Sequence, residues 1–150
     1  MDNSKVREEF CMYIKNRIIT KLTEAEEYEL LCYALLGMDL LLRQSDILKL
    51  EWKQIDLKNE TIKNVYQTKL SNQKEKPVCI DYELTDDLVY ALIELYNKTT
   101  NKDLVFSNLK RYASVQKIGE IIGDIYLNAN ELRSIGMVLK SVWNVDLLDT

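Results

Sequence analysis

Two arginines and a lysine, far apart in the chain, are the residues best suited to chemistry on a phosphate. They are Arg43 in Leu-Arg-Gln-Ser-Asp, Lys69 in Gln-Thr-Lys and Arg133 in Asn-Glu-Leu-Arg. A phosphodiester under attack gathers extra negative charge on its non-bridging oxygens. Two planar guanidiniums clamp those oxygens bidentately, which one ammonium cannot, and a lysine can deliver a proton to the departing oxygen. Taken singly, each of the three is more often a surface charge or a structural ion-pair partner, so order and context have to carry the reading.

Other residue types narrow the chemistry. The chain contains no histidine, which excludes Ser-His-Asp and Cys-His catalysis because neither can be built without an imidazole base. Cys11, Cys32 and Cys79 are widely spaced with no Cys-x-x-Cys pairing, so they read as buried or incidental thiols, and no metal site or cofactor is expected. The net charge of −4 argues at first sight against nucleic acid. Its distribution is uneven, however. Glu24, Glu26, Glu27 and Glu29 form an acidic block, whereas Lys63, Lys69, Lys74 and Lys76 are offset only by Glu75 in their stretch. Lys98, Lys102, Lys110, Arg111 and Lys117 are offset only by Asp103, so an acidic protein can still present one cationic face.

These residues need a scaffold, and 150 residues with four glycines and one proline favour one compact, mainly helical α+β domain. No apolar run is long enough to span a membrane and the charged N-terminus is unlike a signal peptide, which predicts a soluble cytoplasmic protein without membrane partners. Lys5 to Ile19 read as an amphipathic helix carrying Val6, Phe10, Cys11, Tyr13, Ile14 and Ile18. Residues 1–21 are expected as an N-terminal helix or linker ahead of a domain over 22–150. Thr23 with Glu26 predicts a capping box opening a helix whose apolar face is Tyr28, Leu31, Cys32, Leu35 and Met38. Ser45 and Asp46 predict the N-cap of a short helix through Leu50, with Arg43 just before it.

After a turn over Asp56 to Glu60, the β-branched stretch Thr61 to Thr68 predicts a strand and Pro77 to Ile80 its return. The polar Lys69 to Lys76 connection puts Lys69 at the edge of this hairpin, within a small antiparallel sheet. Thr85 opens a helix with Leu88, Val89, Leu92, Ile93 and Tyr96, followed by a short buried Leu104 to Phe106 segment. Ser114 starts another helix with Val115, Ile118, Ile122 and Ile125 inward. Asn130 is expected to cap the last, which carries Arg133 in its first turn and Leu132, Ile135, Leu139 and Val142 on its face.

Several segments, in this order, resemble the tyrosine recombinase (phage integrase) catalytic domain. Leu22-Thr-Glu-Ala-Glu26 is similar to the Leu-Thr-x-x-Glu that opens it, and Leu41 to Trp52 with Ile55-Asp56 resembles the segment around the first catalytic arginine. Asp46 stands at that segment's acidic position. Gln67-Thr-Lys69 and Lys76-Pro-Val78 resemble the strand, catalytic lysine and return strand of the family hairpin, and Asn130-Glu-Leu-Arg133 resembles the His-x-x-Arg box. The resemblance covers about Leu22 to Asp146 and implies that Arg43, Lys69 and Arg133 are a phosphate clamp and proton donor. It further implies that Asn130 stands at a histidine position and that double-stranded DNA would be held by Arg43, Lys69, Lys74 and Arg133. The family's metal-free mechanism forms a covalent phosphotyrosine.

This sequence departs from the pattern in three places. Asn130 can donate a hydrogen bond but cannot shuttle a proton. Ser134 and Gly136 replace the usual residues after the box, and no tyrosine follows Arg133 before Thr150. Tyr112 and Tyr126 are the nearest substitutes, and an unrelated tyrosine would have to reproduce an alignment worth up to about 7 to 11 kcal/mol. The expectation is a catalytically incomplete DNA-binding protein of this fold from a phage or mobile element, with a regulatory role. The alternatives are a truncated domain of an active recombinase, and an interaction module that self-associates or binds a partner chain through an open C-terminal apolar surface.

Overall fold

The computed structural model describes residues 3–100, 102–109, 113–123, 127 and 129–148. Lys110, Arg111, Tyr112, Ile125 and Tyr126 lie outside the described residues, as do the side chains of Ser114, Val115, Val142 and the C-terminal surface beyond residue 140. The described elements are α1 (Asn3–Glu24), α2 (Tyr28–Asp39), α3 (Gln44–Ile47), a 3-10 turn (Trp52–Gln54), β1 (Ile55–Asp56), β2 (Thr61–Tyr66), α4 (Thr68–Lys74), β3 (Cys79–Glu83), α5 (Asp86–Lys98), α6 (Ala113–Ile122) and α7 (Ala129–Leu148). The strands form one antiparallel sheet in the order β1-β2-β3, so the protein is α+β and mainly helical, as its composition predicts.

Helix α2 is the centre of the core. All its residues except Glu29 are buried, enclosed by α1, α5 and α7, which suits a sequence that is apolar nearly all round. Among the described residues of α1, Cys11, Ile14, Ile18 and Leu22 are buried in the core and Ile19 packs against it; Val6, Phe10 and Tyr13, also expected on its apolar face, are exposed. Burial of Leu22 carries α1 past Thr23, so the expected capping box does not form. Glu26 instead takes a left-handed φ of 55° and α2 begins at Tyr28 without a side-chain cap. Asp39, at the far end of α2, is buried and accepts hydrogen bonds from Lys15 Nζ (2.6 Å) and Thr85 Oγ1 (2.5 Å), tying α1 and α5 to α2. Thr85 is also the N-cap of α5, as expected, accepting from the Leu88 N–H.

Other local expectations shift for identifiable reasons. Helix α3 stops at Ile47 rather than Leu50 because the following backbone pairs elsewhere: Leu50 O accepts from Val105 N–H and Trp52 N–H donates to Asp103 O. Its N-cap is Arg43, not Ser45 or Asp46. Leu104 is exposed while Val105 and Phe106 are buried. Strand β2 ends at Tyr66, and its partner is Cys79–Glu83 rather than Pro77 to Ile80. A bulge at Asn64 (φ 56°), whose N–H donates to the Asp81 carboxylate at 2.8 Å, sets that register. Asn130 lies inside α7, one residue past its start, and does not cap it. No helix among the described residues is long and apolar enough to cross a membrane.

Candidate phosphate-binding cleft

The chain leaves α2 through Leu41, which has a left-handed φ of 57°. For a bulky residue this conformation costs on the order of 1–3 kcal/mol, and it reverses the chain so that Arg43, in extended backbone, begins α3. One turn later Asp46 is buried, and its Oδ1 accepts both the Thr68 hydroxyl (2.6 Å) and the Thr68 N–H (3.2 Å). Those bonds capture the first residue of α4 and thereby position Lys69 beside it. In the middle of α4 the buried Ser71 accepts the Val78 N–H at 2.9 Å, fastening the helix to the residue that leads into the return strand. The connection expected as a polar hairpin edge is thus a short helix, and Lys69 projects from its first turn.

Arg133 arrives from α7. A Cβ built on Gly136 would lie 2.0 Å from Met38 O, so only glycine lets α7 come this close to the end of α2. Gly136 is one turn beyond Arg133, and the close approach puts Arg133 Nε 3.1 Å from Leu41 O, to which it donates. The residue that departs from the family pattern at position 136 is therefore what seats the arginine.

Arg43, Asp46, Gln67, Lys69, Gln73 and Arg133, with Leu41 and Leu70, line one cleft of about 330 Å³. Three cations face a single carboxylate there, a net charge of +2. The Arg133 guanidinium is held below its ordinary pKa, first by burial, then by the neighbouring Arg43 charge, with Asp46 acting in the opposite direction. Two like charges in partial burial are the arrangement that a bound anion relieves. By contrast, Lys15, Lys21, Lys53, Lys63, Lys98 and Lys117 each lie within 4 Å of a carboxylate, whereas among the described residues Arg43, Lys69 and Arg133 have none that near.

The cleft does not gather every residue expected in it. Asn130 is exposed and is not among the lining residues; its carbonyl accepts the Ser134 hydroxyl at 2.9 Å. Lys74 is exposed at the end of α4, also outside the lining. Gln73 lines the cleft as well, a residue that a hairpin reading does not single out but that falls one turn after Lys69 once the segment is helical. Tyr82 adjoins the cleft through Gln67, whose Nε2 donates to its hydroxyl at 3.1 Å. Burial raises the Tyr82 phenol above its ordinary pKa, opposed by the Gln67 hydrogen bond and assisted by the Asp46 charge, which disfavours the phenolate. No group of three or more His, Cys, Asp or Glu among the described residues is placed to hold a metal.

The expected cationic face is smaller than the charge runs imply. Lys98 folds onto Glu26 (3.5 Å), Lys117 onto Glu27 (2.9 Å), and Lys63 pairs with Asp81 (3.6 Å). Lys102 donates to Tyr96 O.

No curated protein and no solved structure matches this chain. A family model described as the phage integrase family matches residues 13–134, from the first half of α1 to the residue after Arg133. Most of the chain, and every residue of the cleft, falls inside that match: this protein belongs to the phage integrase family, the tyrosine recombinases.

Proposed function

We propose that this protein binds duplex DNA by its backbone and seats one phosphodiester in the cleft between Arg43, Lys69 and Arg133 without cutting it, in a regulatory role in a phage or mobile element. Family membership supports a function in DNA recombination and integration and makes DNA the partner. The observation that carries the finer reading is the convergence of three cations that no carboxylate within 4 Å neutralises, among the described residues. Arg43 and Arg133 would hold the non-bridging oxygens, and Lys69 would face a bridging oxygen. Lys74 would meet a flanking phosphate. Support for the absence of cleavage comes from residue types: there is no histidine, Asn130 stays out of the cleft, and no described tyrosine lines it.

The test has two arms. In fluorescence anisotropy with a labelled duplex at low salt, the parent should bind, and Arg43→Ala should weaken binding to unrelated sequences alike, with a salt slope shallower by about 0.9 per lost phosphate contact. No binding by the parent would sink the reading. In the second arm, incubation with a nicked duplex followed by a denaturing gel should give no covalent protein–DNA adduct. An adduct would instead establish the active recombinase, the reading that the intact clamp also favours.

A further inference from the structure

We infer that Lys49 is a second phosphate contact, outside the cleft, held ready by Tyr66 and Thr68. This rests on the DNA-binding reading above and extends its footprint. Lys49 follows α3 and is exposed, yet it is not free to wander: its Nζ lies 3.4 Å from Thr68 Oγ1 and 5.5 Å from the centroid of the Tyr66 ring. The Thr68 hydroxyl gives its proton to Asp46 at 2.6 Å, which leaves its oxygen lone pairs to accept from Lys49. One ammonium N–H is thereby used and the ring face covers another direction, while the remaining donor capacity points to solvent.

Lys49 is held in this way without being neutralised, much as Lys102 is held by the ring and carbonyl of Tyr96 elsewhere on the surface. The exposed Lys53 and Lys63 are each within 4 Å of a carboxylate, and Lys49 has none that near among the described residues. A restrained, uncompensated ammonium is pre-organised for an anion that arrives from outside. Thr68 immediately precedes Lys69, so the two ammonium groups flank the start of α4. Successive phosphates of one DNA strand are separated by a rise of about 3.4 Å. The occupant that fits is therefore a backbone phosphate close along the strand to the one in the cleft, with the half-exposed Tyr66 ring offering an apolar face to a deoxyribose.

Salt titrations of duplex binding by the full chain test this. The parent, Lys49→Ala, Tyr66→Leu and the control Lys53→Ala would be compared between roughly 50 and 200 mM salt on two unrelated duplexes. Loss of one phosphate contact should lower the slope of log affinity against log salt by about 0.9, or about threefold in affinity across that range. Lys49→Ala should show that change equally on both duplexes. Tyr66→Leu should lose less affinity at unchanged slope, since the charge stays but its restraint goes, and Lys53→Ala should match the parent. A Lys49→Ala slope equal to the parent's overturns the inference and leaves the cleft reading standing. A parent that does not bind overturns both, and an equal change in Lys53→Ala would show that any surface lysine serves, which also refutes it.

Discussion

Two cavities on this molecule handle charge in opposite ways. The larger, about 520 Å³, is lined by Glu26, Glu27 and Glu29 with Lys98, and each of those carboxylates has an internal partner: Lys98, Lys117 and the Asn108 amide and backbone N–H. The smaller cleft gathers Arg43, Lys69 and Arg133 around the single Asp46, whose hydrogen bonds go to Thr68 rather than to a cation. Size therefore points to the wrong place. A groove whose charges are already matched has no electrostatic reason to recruit a ligand. A cleft that spends backbone strain at Leu41 and a glycine-only contact at Gly136 to bring like charges together does.

The sharpest way to break the contrast is to push α7 off α2. Gly136→Ala places a methyl where Met38 O already sits, and overpacking of this kind costs about 3 kcal/mol. The melting temperature should fall by roughly 6–12 °C. Arg133 should leave Leu41 O and DNA binding should collapse, while the acidic groove, built from α2, α5 and the segment before α6, keeps its ion pairs. Gly37→Ala is the matched control, because in the last turn of α2 its Cβ would meet Leu132 Cβ at an ordinary 3.5 Å. There the gain in helix propensity of about 0.5–1 kcal/mol should raise the melting temperature. Equal losses from both variants would refute the special role of the α7 approach.

Asp46 offers a subtler test, since electrostatics and geometry predict opposite signs. Removing its charge makes the cleft more positive, so electrostatics alone would tighten DNA binding. Asp46→Ala, however, releases the start of α4, removing two charge-assisted hydrogen bonds, each worth about 1.5–3 kcal/mol. Binding should weaken despite the added charge, and the melting temperature should drop by roughly 6–24 °C. Asp46→Asn, which keeps an acceptor for Thr68, should retain more of both. Tighter binding by Asp46→Ala would mean that net charge, not the placement of Lys69, governs the site.

How far the sequence discloses this arrangement depends on the distance over which each feature is decided. Helices whose apolar period is local are largely legible in the sequence, such as α5 with its Thr85 cap and buried Leu88 and Leu92, although Ile93 and Tyr96 of its expected stripe are exposed; so are the identities of Arg43, Lys69 and Arg133. Features set by distant partners are not. The end of α3 is decided by pairing with residues 103–105, the start of α4 by a carboxylate on α3, and the seat of Arg133 by a backbone contact between α7 and α2. The charge runs mislead for the same reason: Lys98 and Lys117 are near the acidic block only after folding. Lys69 reads as the edge of a hairpin because nothing within its own stretch announces that Asp46 will turn that edge into a helix.

The smallest expected effect is the most direct check on the contrast itself. Lys117 and Glu27 form the shortest ion pair of the acidic groove, 2.9 Å, with side chains 53% and 32% exposed. Solvent screening keeps such a pair to about 0–1 kcal/mol, so Lys117→Ala should move the melting temperature by less than roughly 4 °C. Its charge is matched by Glu27, so it should contribute nothing to phosphate contact, and the salt slope of DNA binding should equal the parent's. Arg43→Ala removes the same formal charge from the cleft and should lower that slope. If Lys117→Ala lowers it as much, internal pairing does not decide which cations meet DNA, and the binding face extends across the groove as the bare charge runs suggest.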